Sequence, residues 1–469
     1  MSLRDRVVGA LAHAVLRVFF RRVEVVGGEH VPPRGPVVFV GNHGNALVDP
    51  FAAIAFLPRV PRFLAKSTLW RNPAVRPLLA LAGSIPVYRA QDGTDTSRNE
   101  ATFARCFEVL EQGGAIALFP EGISHDEPAL QPLKTGAARI ALGAARRPRS
   151  RAVAVVPVGL TFEDKPRFRS RVLVRVGPPI DLAPFVARAD ADERDAVRAL
   201  TDAIREALAG VVLEYASWDD ARLVDAAVDV FARTSDAAAM PGRGGLGERF
   251  SLRQRFGAAY ERLRAREPAR VDAVRAEVER YLARLERLGV RDDQLMARYP
   301  RREVLRYLRG RVPWLPLWLP VAGIGLVLNY VPYRAAGLVA NLVRDTPDQP
   351  ATFKLLGGFF LFPVAWGALA WWASRFGAAA ALYAFALAPA TGWAALLFHE
   401  RTESLGREVR AFLMLRVRAD EARRLRAMRA GIERDIAQLG VLDHEAGLAG
   451  AAGGAGAGAP AATEEAGRA

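Results

Sequence analysis

The sequence predicts an α/β domain at the N-terminal end, then a charged helical region, then apolar helices long enough to enter a membrane. From Val23 to about Pro179, short apolar runs alternate with helical stretches. Between 186 and 312 the chain is charged and helical, with Arg and Glu mixed along Arg262–Leu288. After residue 312 come apolar stretches at about 313–332, 353–373 and 377–398.

Composition narrows the partners. The chain has 469 residues, 51% hydrophobic and 25% charged, which excludes wholesale disorder. Mean hydropathy is +0.07, high for so charged a protein, so the apolar excess is concentrated, and it lies beyond residue 312. Lys+Arg 65 against Asp+Glu 50 gives a net charge of +15, which suits a polyanion: nucleic acid, an anionic membrane surface or a phosphorylated substrate. The one cysteine, Cys106, allows no intrachain disulfide and no multi-cysteine metal site, and suits a reducing compartment. Only four basic residues are lysines, Lys66, Lys134, Lys165 and Lys354. Arginine is therefore the background here, and a lysine is the more informative choice.

Taken in order, residues 1–22 hold an amphipathic helix, with Leu3, Val7, Leu11, Val15 and Val18 on one face. Such a helix packs on its own domain or lies in a membrane interface, and His13 and Arg17 exclude a signal-peptide core. The α/β domain spans 23–185. Its expected strands are Val23–Val26, Val37–Val40, Ile85–Tyr88, Ala115–Phe119, Ala152–Val158 and Val172–Val176. Its best-marked helix begins at Ser97, where Glu100 completes a capping box. Several runs end in turns, Gly41-Asn42-His43, Pro120-Glu121-Gly122 and Pro157-Val158-Gly159, and strand ends are where open α/β sheets bind ligands. Region 186–312, with a Gly-rich break at Pro241–Gly247, carries no evident chemistry.

The membrane region is 313–398. Stretches 353–373 and 377–398 each reach roughly 30 Å as helices, the thickness of a bilayer core. They are separated by Ser374-Arg375-Phe376, and Trp366, Trp371 and Trp372 suit an interfacial belt. Pro313, Pro316, Pro320 and Pro332 are expected to interrupt 313–332, making it re-entrant or interfacial. Arginines before 313 and after 398 put both flanks in the cytoplasm, which requires an even number of spans and favours one hairpin. Residues 399–444 read as a basic helix on anionic headgroups, and 445–469 as a disordered Ala/Gly tail.

Four blocks carry residues suited to chemistry. His43 follows an apolar run in Gly41-Asn42-His43-Gly44-Asn45, with Asp49 six positions on. A histidine bonded to a carboxylate is a general base with a fixed tautomer. On a regular helix six positions rotate by about 240°, so the pair meets only if the chain turns, and Gly44 and Asn45 are turn formers. By itself such a pair more often serves structure. The second block, Phe119 to Asp126, places Glu121 and Gly122 at a strand end. The third, Gly83 to Arg89, ends on an arginine that is either a surface ion pair or a phosphate clamp. The fourth is Val156-Pro157-Val158-Gly159.

In this order and spacing the four blocks resemble the glycerolipid acyltransferase family, which includes glycerol-3-phosphate and 1-acylglycerol-3-phosphate acyltransferases. The resemblance covers about residues 30–180. Five residues separate His43 from Asp49 where the family has four, and Ile123-Ser124-His125-Asp126 replaces the common Thr-Arg-Ser after the glycine. Both departures resemble the branch of fungal glycerol-3-phosphate/dihydroxyacetone-phosphate acyltransferases, which also carry C-terminal membrane spans. The resemblance implies a mixed sheet flanked by helices, and a membrane-bound enzyme of phospholipid biosynthesis. It implies that His43 deprotonates the acceptor hydroxyl, Asp49 orients His43, Arg89 binds the acceptor phosphate, and Glu121 and Gly122 shape the acceptor site. Lys66 and Lys134 are added as phosphate contacts because two of the four lysines fall beside the blocks.

The implied acceptor is glycerol 3-phosphate and the donor an acyl-CoA or acyl carrier protein, with no other cofactor. Anionic membrane lipid is the expected partner, and the apolar spans argue against nucleic acid. Cys106 reads as a core residue, and no metal site is expected. The expected location is a bacterial-type inner membrane with the catalytic domain facing the cytoplasm. Three rivals stand beside this reading. One is acylation of 1-acylglycerol 3-phosphate to phosphatidate. Another is a non-catalytic lipid-binding membrane protein, against which the joint presence of His43, Asp49 and Glu121 argues. The third is a membrane anchor for a partner held by 186–312.

Overall fold

A computed structural model of the chain describes residues 3–73, 75–150, 152–165, 167–232, 245–297, 309–310, 313–342 and 350–455. They fall into two units, one of residues 1–216, 245–247 and 309–401, the other of residues 217–244, 248–308 and 402–469.

The first unit is built on a seven-stranded sheet: β1 Arg22–Val26, β2 Val37–Gly41, β3 Arg62–Lys66, β4 Ile85–Val87, β5 Ala115–Leu118, β6 Ala154–Phe162 and β7 Arg171–Val176, in the order β1-β7-β6-β2-β5-β3-β4. Neighbours are parallel except β6 and β7, so the sheet is mixed. Every residue of β2 and β5 is buried, as expected of parallel strands covered on both faces. Alternation divides their side chains between two cores. Val37, Phe39, Ala115 and Ala117 meet helices α1 (Leu3–Phe19) and α2 (Val48–Phe56). Val38, Val40 and Ile116 meet the other layer. Helix α3 (Arg76–Ala82) meets α1, whose Arg4 donates to the Ala80 and Leu81 carbonyls, and the second layer is α4 (Asn99–Glu111), α5 (Gly136–Ala145), α6 (Ala183–Ala189) and α7 (Glu193–Ala209).

Several expectations are corrected here. Strand β3, Arg-Phe-Leu-Ala-Lys, was not expected, because cationic ends leave too short an apolar run to mark it. Strand β6 does not turn at Pro157–Gly159 but runs to Phe162, pairing antiparallel with β7. Gly159 is required there because a Cβ would come within 1.9 Å of the Val211 carbonyl. No capping box forms at Ser97. A 3-10 turn, Thr96–Arg98, is capped by Asp95, whose carboxylate accepts the Ser97 N–H at 3.0 Å, and α4 starts at Asn99. Helix α1 buries Val8, Ala12, Leu16 and Phe19, while Leu3 (71% exposed), Val7, Leu11 and Val18 face outward. Its packed face and its exposed apolar stripe are thus different faces. Within the Gly-rich break, Leu246 and Gly247 donate their N–H groups to the Glu24 carboxylate at 2.8 and 2.9 Å; positions 241–244 lie outside the described residues.

The remaining helices are α8 (Trp218–Ala232), α9 (Leu246–Arg266), α10 (Pro268–Leu288), α11 (Asp292–Met296), α12 (Trp314–Leu342), α13 (Pro350–Ala373), α14 (Ala378–Val417) and α15 (Ala419–Ala455). In the second unit Val230, Val278, Tyr281, Leu285 and Leu295 share a core with Ala411, Ala422, Leu425 and Ile432. The beginning of the tail expected to be disordered is helical through Ala455, in keeping with the high helix propensity of alanine. Positions 456–469 lie outside the described residues.

Helices α12, α13 and α14 are each long and apolar enough to cross a membrane. The expectation that proline interrupts the first of them is wrong: α12 is continuous with Pro320 and Pro332 inside it. Pro316 falls in its first turn, where no backbone donor is lost. The freed groups of an apolar helix can be re-satisfied by neighbours, and a polar clasp joins the three helices. Asn329 donates to the carbonyls of Gly325 (2.8 Å) and Ala388 (3.0 Å) and accepts the Trp366 indole N–H (2.9 Å). Outward lie Leu317, Val327, Val331, Trp371 and Leu382, an apolar surface suited to lipid.

Candidate active site

Strands β2, β5, β3 and β4 are consecutive in the sheet and all parallel, so their C-terminal ends open on one edge. That edge carries His43 after β2, Glu121 and Gly122 after β5, Lys66 at the end of β3, and Arg89 after β4. The sheet order thus gathers residues from 43 to 122, and α5 follows Lys134 beside them.

The chain turns between His43 and Asp49, and Asp49 enters the first turn of α2 fully buried. His43 Nδ1 and Asp49 Oδ2 are 2.9 Å apart, and the same oxygen accepts the Asn45 N–H at 2.8 Å. The imidazole lies flat against Phe119, with centroids 4.1 Å apart and planes at 8°. With Nδ1–H held by the carboxylate, Nε2 carries the lone pair. His43 lines a cavity of about 1280 Å³, most of whose wall is apolar, including Phe51, Phe63, Leu79, Phe103 and Ile140.

Arg89, Lys66, Lys134 and Gly122 also line this cavity. The Arg89 guanidinium forks onto Asp92 (2.7 and 2.9 Å) and donates to the Gly122 carbonyl (2.5 Å). Three of its five N–H groups are so used, and the others remain for a ligand. Gly122 has φ 74, a left-handed conformation, and a Cβ there would press on Lys134 Cγ at 3.3 Å. Lys134 is tied to the same turn through its N–H to the Pro120 carbonyl at 2.7 Å.

The resemblance implies that Glu121 shapes the acceptor site, and its contacts within the protein are these. It is 2% exposed, and its chain neighbours Pro120 and Gly122 line the cavity. Its carboxylate accepts the His43 N–H (2.8 Å), the Gln131 N–H (2.9 Å) and His125 Nε2. A buried carboxylate keeps its charge only when its oxygens are so satisfied. Burial pushes the group up, but the bonds from His125, Gln131 and His43 outweigh it and hold it below the usual carboxylate range. Glu121 therefore braces the backbone of His43.

Sequence reading missed three supports. Asn42 exchanges two hydrogen bonds with the Leu160 backbone (3.1 and 2.7 Å), extending the pairing of β2 with β6. Ser124 Oγ accepts the Ala46 N–H at 2.9 Å, and Thr352 Oγ1 the Leu47 N–H at 3.0 Å. Ser124 and His125 are the positions where the second block departs from the family pattern, which was a signal; Thr352 had none. A fourth residue passed over is Lys165, whose amine pairs with Asp126 at 2.6 Å and lies 3.1 Å from where a Cβ on Gly44 would stand. Cys106 is fully buried on α4, and burial pushes its thiol up to about 12, which suits a core residue and no nucleophile.

The acyltransferase family model matches residues 22–161, and that of the glycerol-3-phosphate acyltransferase 2 C-terminal domain matches residues 244–441. Glycerol-3-phosphate O-acyltransferase 2 of Saccharomyces cerevisiae is 30% identical over 283 residues, covering 57% of this chain and 37% of that protein. Glycerol-3-phosphate O-acyltransferase 1 of the same yeast is 27% identical over 303 residues, covering 46% and 40%. The 1-acyl-sn-glycerol-3-phosphate acyltransferase alpha of Mus musculus is 30% identical over 202 residues, covering 41% and 64%. The chain thus spans well under half the length of the two yeast proteins.

Proposed function

This chain belongs to the glycerolipid acyltransferase family, and from that premise we propose that it transfers a fatty acyl group from an acyl thioester, acyl-CoA or acyl carrier protein, to glycerol 3-phosphate. The observation that carries the reading is the His43–Asp49 pair, at 2.9 Å, on an apolar cavity bordered by Arg89, Lys66 and Lys134. His43 Nε2 takes the proton of the acceptor hydroxyl as its oxygen attacks the thioester carbonyl. Asp49 steadies the imidazolium that forms. When the tetrahedral adduct collapses, the C–S bond breaks and the imidazolium returns the proton to the thiolate. Arg89 and the two lysines hold the acceptor phosphate, and the cavity takes the acyl chain. The purified full chain, given labelled acyl-CoA and a panel of acceptors, should acylate glycerol 3-phosphate fastest. No transfer to any glycerol-phosphate acceptor would reject the reading.

A second acceptor is favoured by the size of the cavity. About 1280 Å³ exceeds the roughly 300–1,000 Å³ of ordinary small-molecule sites, leaving room for an acceptor that already carries one chain. Faster transfer to 1-acylglycerol 3-phosphate in the same panel would select it.

We place the enzyme in a membrane, with anionic lipid around it and the catalytic domain on the cytoplasmic side of a bacterial-type inner membrane. Residues before and after the apolar helices share the second unit's core. They therefore lie on one side in this reading, which supports an even number of crossings: the α13–α14 hairpin supplies two, and α12, although long enough, does not add a third. An impermeant thiol reagent applied to intact cells should label Arg375→Cys and spare Asp420→Cys. Buried Cys106 stays silent. Labelling at 420 would mean an odd number.

A further inference from the structure

Three consecutive N–H groups in the turn from His43 to Asp49 donate to oxygens of three different origins. Asn45 donates to Asp49 Oδ2 at 2.8 Å, Ala46 to Ser124 Oγ at 2.9 Å and Leu47 to Thr352 Oγ1 at 3.0 Å. The first is local, the second comes from the segment after β5, and the third from the first turn of α13, 305 positions along the chain. This is the turn that holds one residue more than the family block. Ala46 stands in it at φ 34, a left-handed conformation that a residue with a Cβ keeps only when its surroundings hold it.

The end of α13 is fixed where it meets the turn. Ala351 and Leu355 are buried in the same apolar core as Val37, Phe39 and Val48. Thr352 between them is 8% exposed. Thr352 itself, with Phe353, Leu356 and Phe359, lines the cavity that His43 also lines. An apolar helix of membrane-spanning length thus forms part of the cavity wall and supplies a hydrogen-bond acceptor to the turn.

Resting on the acyltransferase reading, we propose that Thr352 is a positioning residue: its hydroxyl clasps the lengthened turn at Leu47 and so sets the pose of His43 and Asp49. Without that oxygen the part-buried Leu47 N–H loses its protein acceptor, a state backbone donors avoid, and the turn relaxes. A displacement of about 1 Å at a reacting group can cost on the order of 10²-fold in rate, so a partial relaxation is sufficient.

Thr352→Val keeps the volume and removes the acceptor, and Thr352→Ser keeps the acceptor. Both are made in the full chain in detergent or bilayer discs; Thr352→Ala replaces the valine variant if that fails to accumulate. Two quantities are read: kcat with KM for donor and acceptor, and amide hydrogen exchange at Leu47. Thr352→Val should lower kcat about tenfold with both KM values nearly unchanged and speed exchange at Leu47, while Thr352→Ser stays near wild type in both. Wild-type kcat and exchange in Thr352→Val would overturn the proposal. So would a serine variant as impaired as the valine one, since packing and not the hydroxyl would then be responsible. If the wild-type chain transfers no acyl group, the functional reading fails, and the exchange comparison still decides whether Thr352 clasps the turn.

Discussion

Glu121 in the first unit and Asp220 in the second are both 2% exposed carboxylates held below their ordinary range. In each, burial pushes the group up and several donors outweigh it. Their surroundings differ. Asp220 on α8 accepts from Ser217 (2.7 Å) and Tyr260 (2.8 Å) and pairs with Arg264 and Arg275 at 3.4 and 3.3 Å. That knot ties α8 to α9 and α10, and burial together with Asp220 pushes the Tyr260 hydroxyl up to about 12. Glu121 instead braces the backbone of a histidine that lines a large apolar cavity. A displaced carboxyl therefore marks only satisfied burial. The adjoining cavity and the imidazole that lines it are what distinguish a site from a knot.

The comparison breaks most sharply at His43. His43→Ala should lower acyl transfer by about 10²–10⁴-fold in a protein that still folds and inserts, and Asp49→Asn should also be severe, because the imidazole loses its anion. A turnover near wild type in either would remove the catalytic side of the contrast. Next comes Arg89→Ala, expected to raise KM for the phosphorylated acceptor by about tenfold, a charge-assisted bond being worth more than a neutral one, with KM for the donor little moved. Lys66→Ala and Lys134→Ala should act in the same direction more weakly. An equal rise in both constants would make Arg89 structural.

Asp220→Ala should do the opposite of His43→Ala. It leaves Tyr260 and two guanidinium groups short of their acceptor and should cost about 1–3 kcal/mol of stability, read by denaturant unfolding, with kcat per folded molecule unchanged. A kcat loss would give the second unit a part in catalysis. The smallest effect is on acid stability. Ordinary values are 4.5 for Glu and 3.8 for Asp. Both groups are lower when folded, so each contributes stability that is complete above its ordinary value and lost as pH falls through the lowered one. Stability should therefore decline below about pH 4.5, and Glu121→Gln or Asp220→Asn should each flatten that decline. An unchanged acid limb in both variants would mean that other carboxylates govern it.

The sequence by itself determined what depends on neighbours along the chain. Continuous apolar runs marked β2 and β5 because buried parallel strands need both faces apolar. Gly44 and Asn45 marked the turn that lets His43 meet Asp49, and strand ends marked Arg89 and Gly122. The long apolar runs marked α12 to α14, since a bilayer sets their length. Tertiary structure decided the rest, because the deciding partner lies far away in sequence. Strand β3 exists by pairing with β5 and β4, not by its own composition. Helix α1 turns a different face inward from the one its spacing favoured, since the sheet it covers chooses the face. Glu121 is buried where the N–H groups of His43 and Gln131 stabilise its charge. Ser124 and Thr352 reach the turn between His43 and Asp49 from 78 and 305 positions away. A hydroxyl carries no signal of its partner in its own sequence neighbourhood, and only packing brings the two within hydrogen-bond distance.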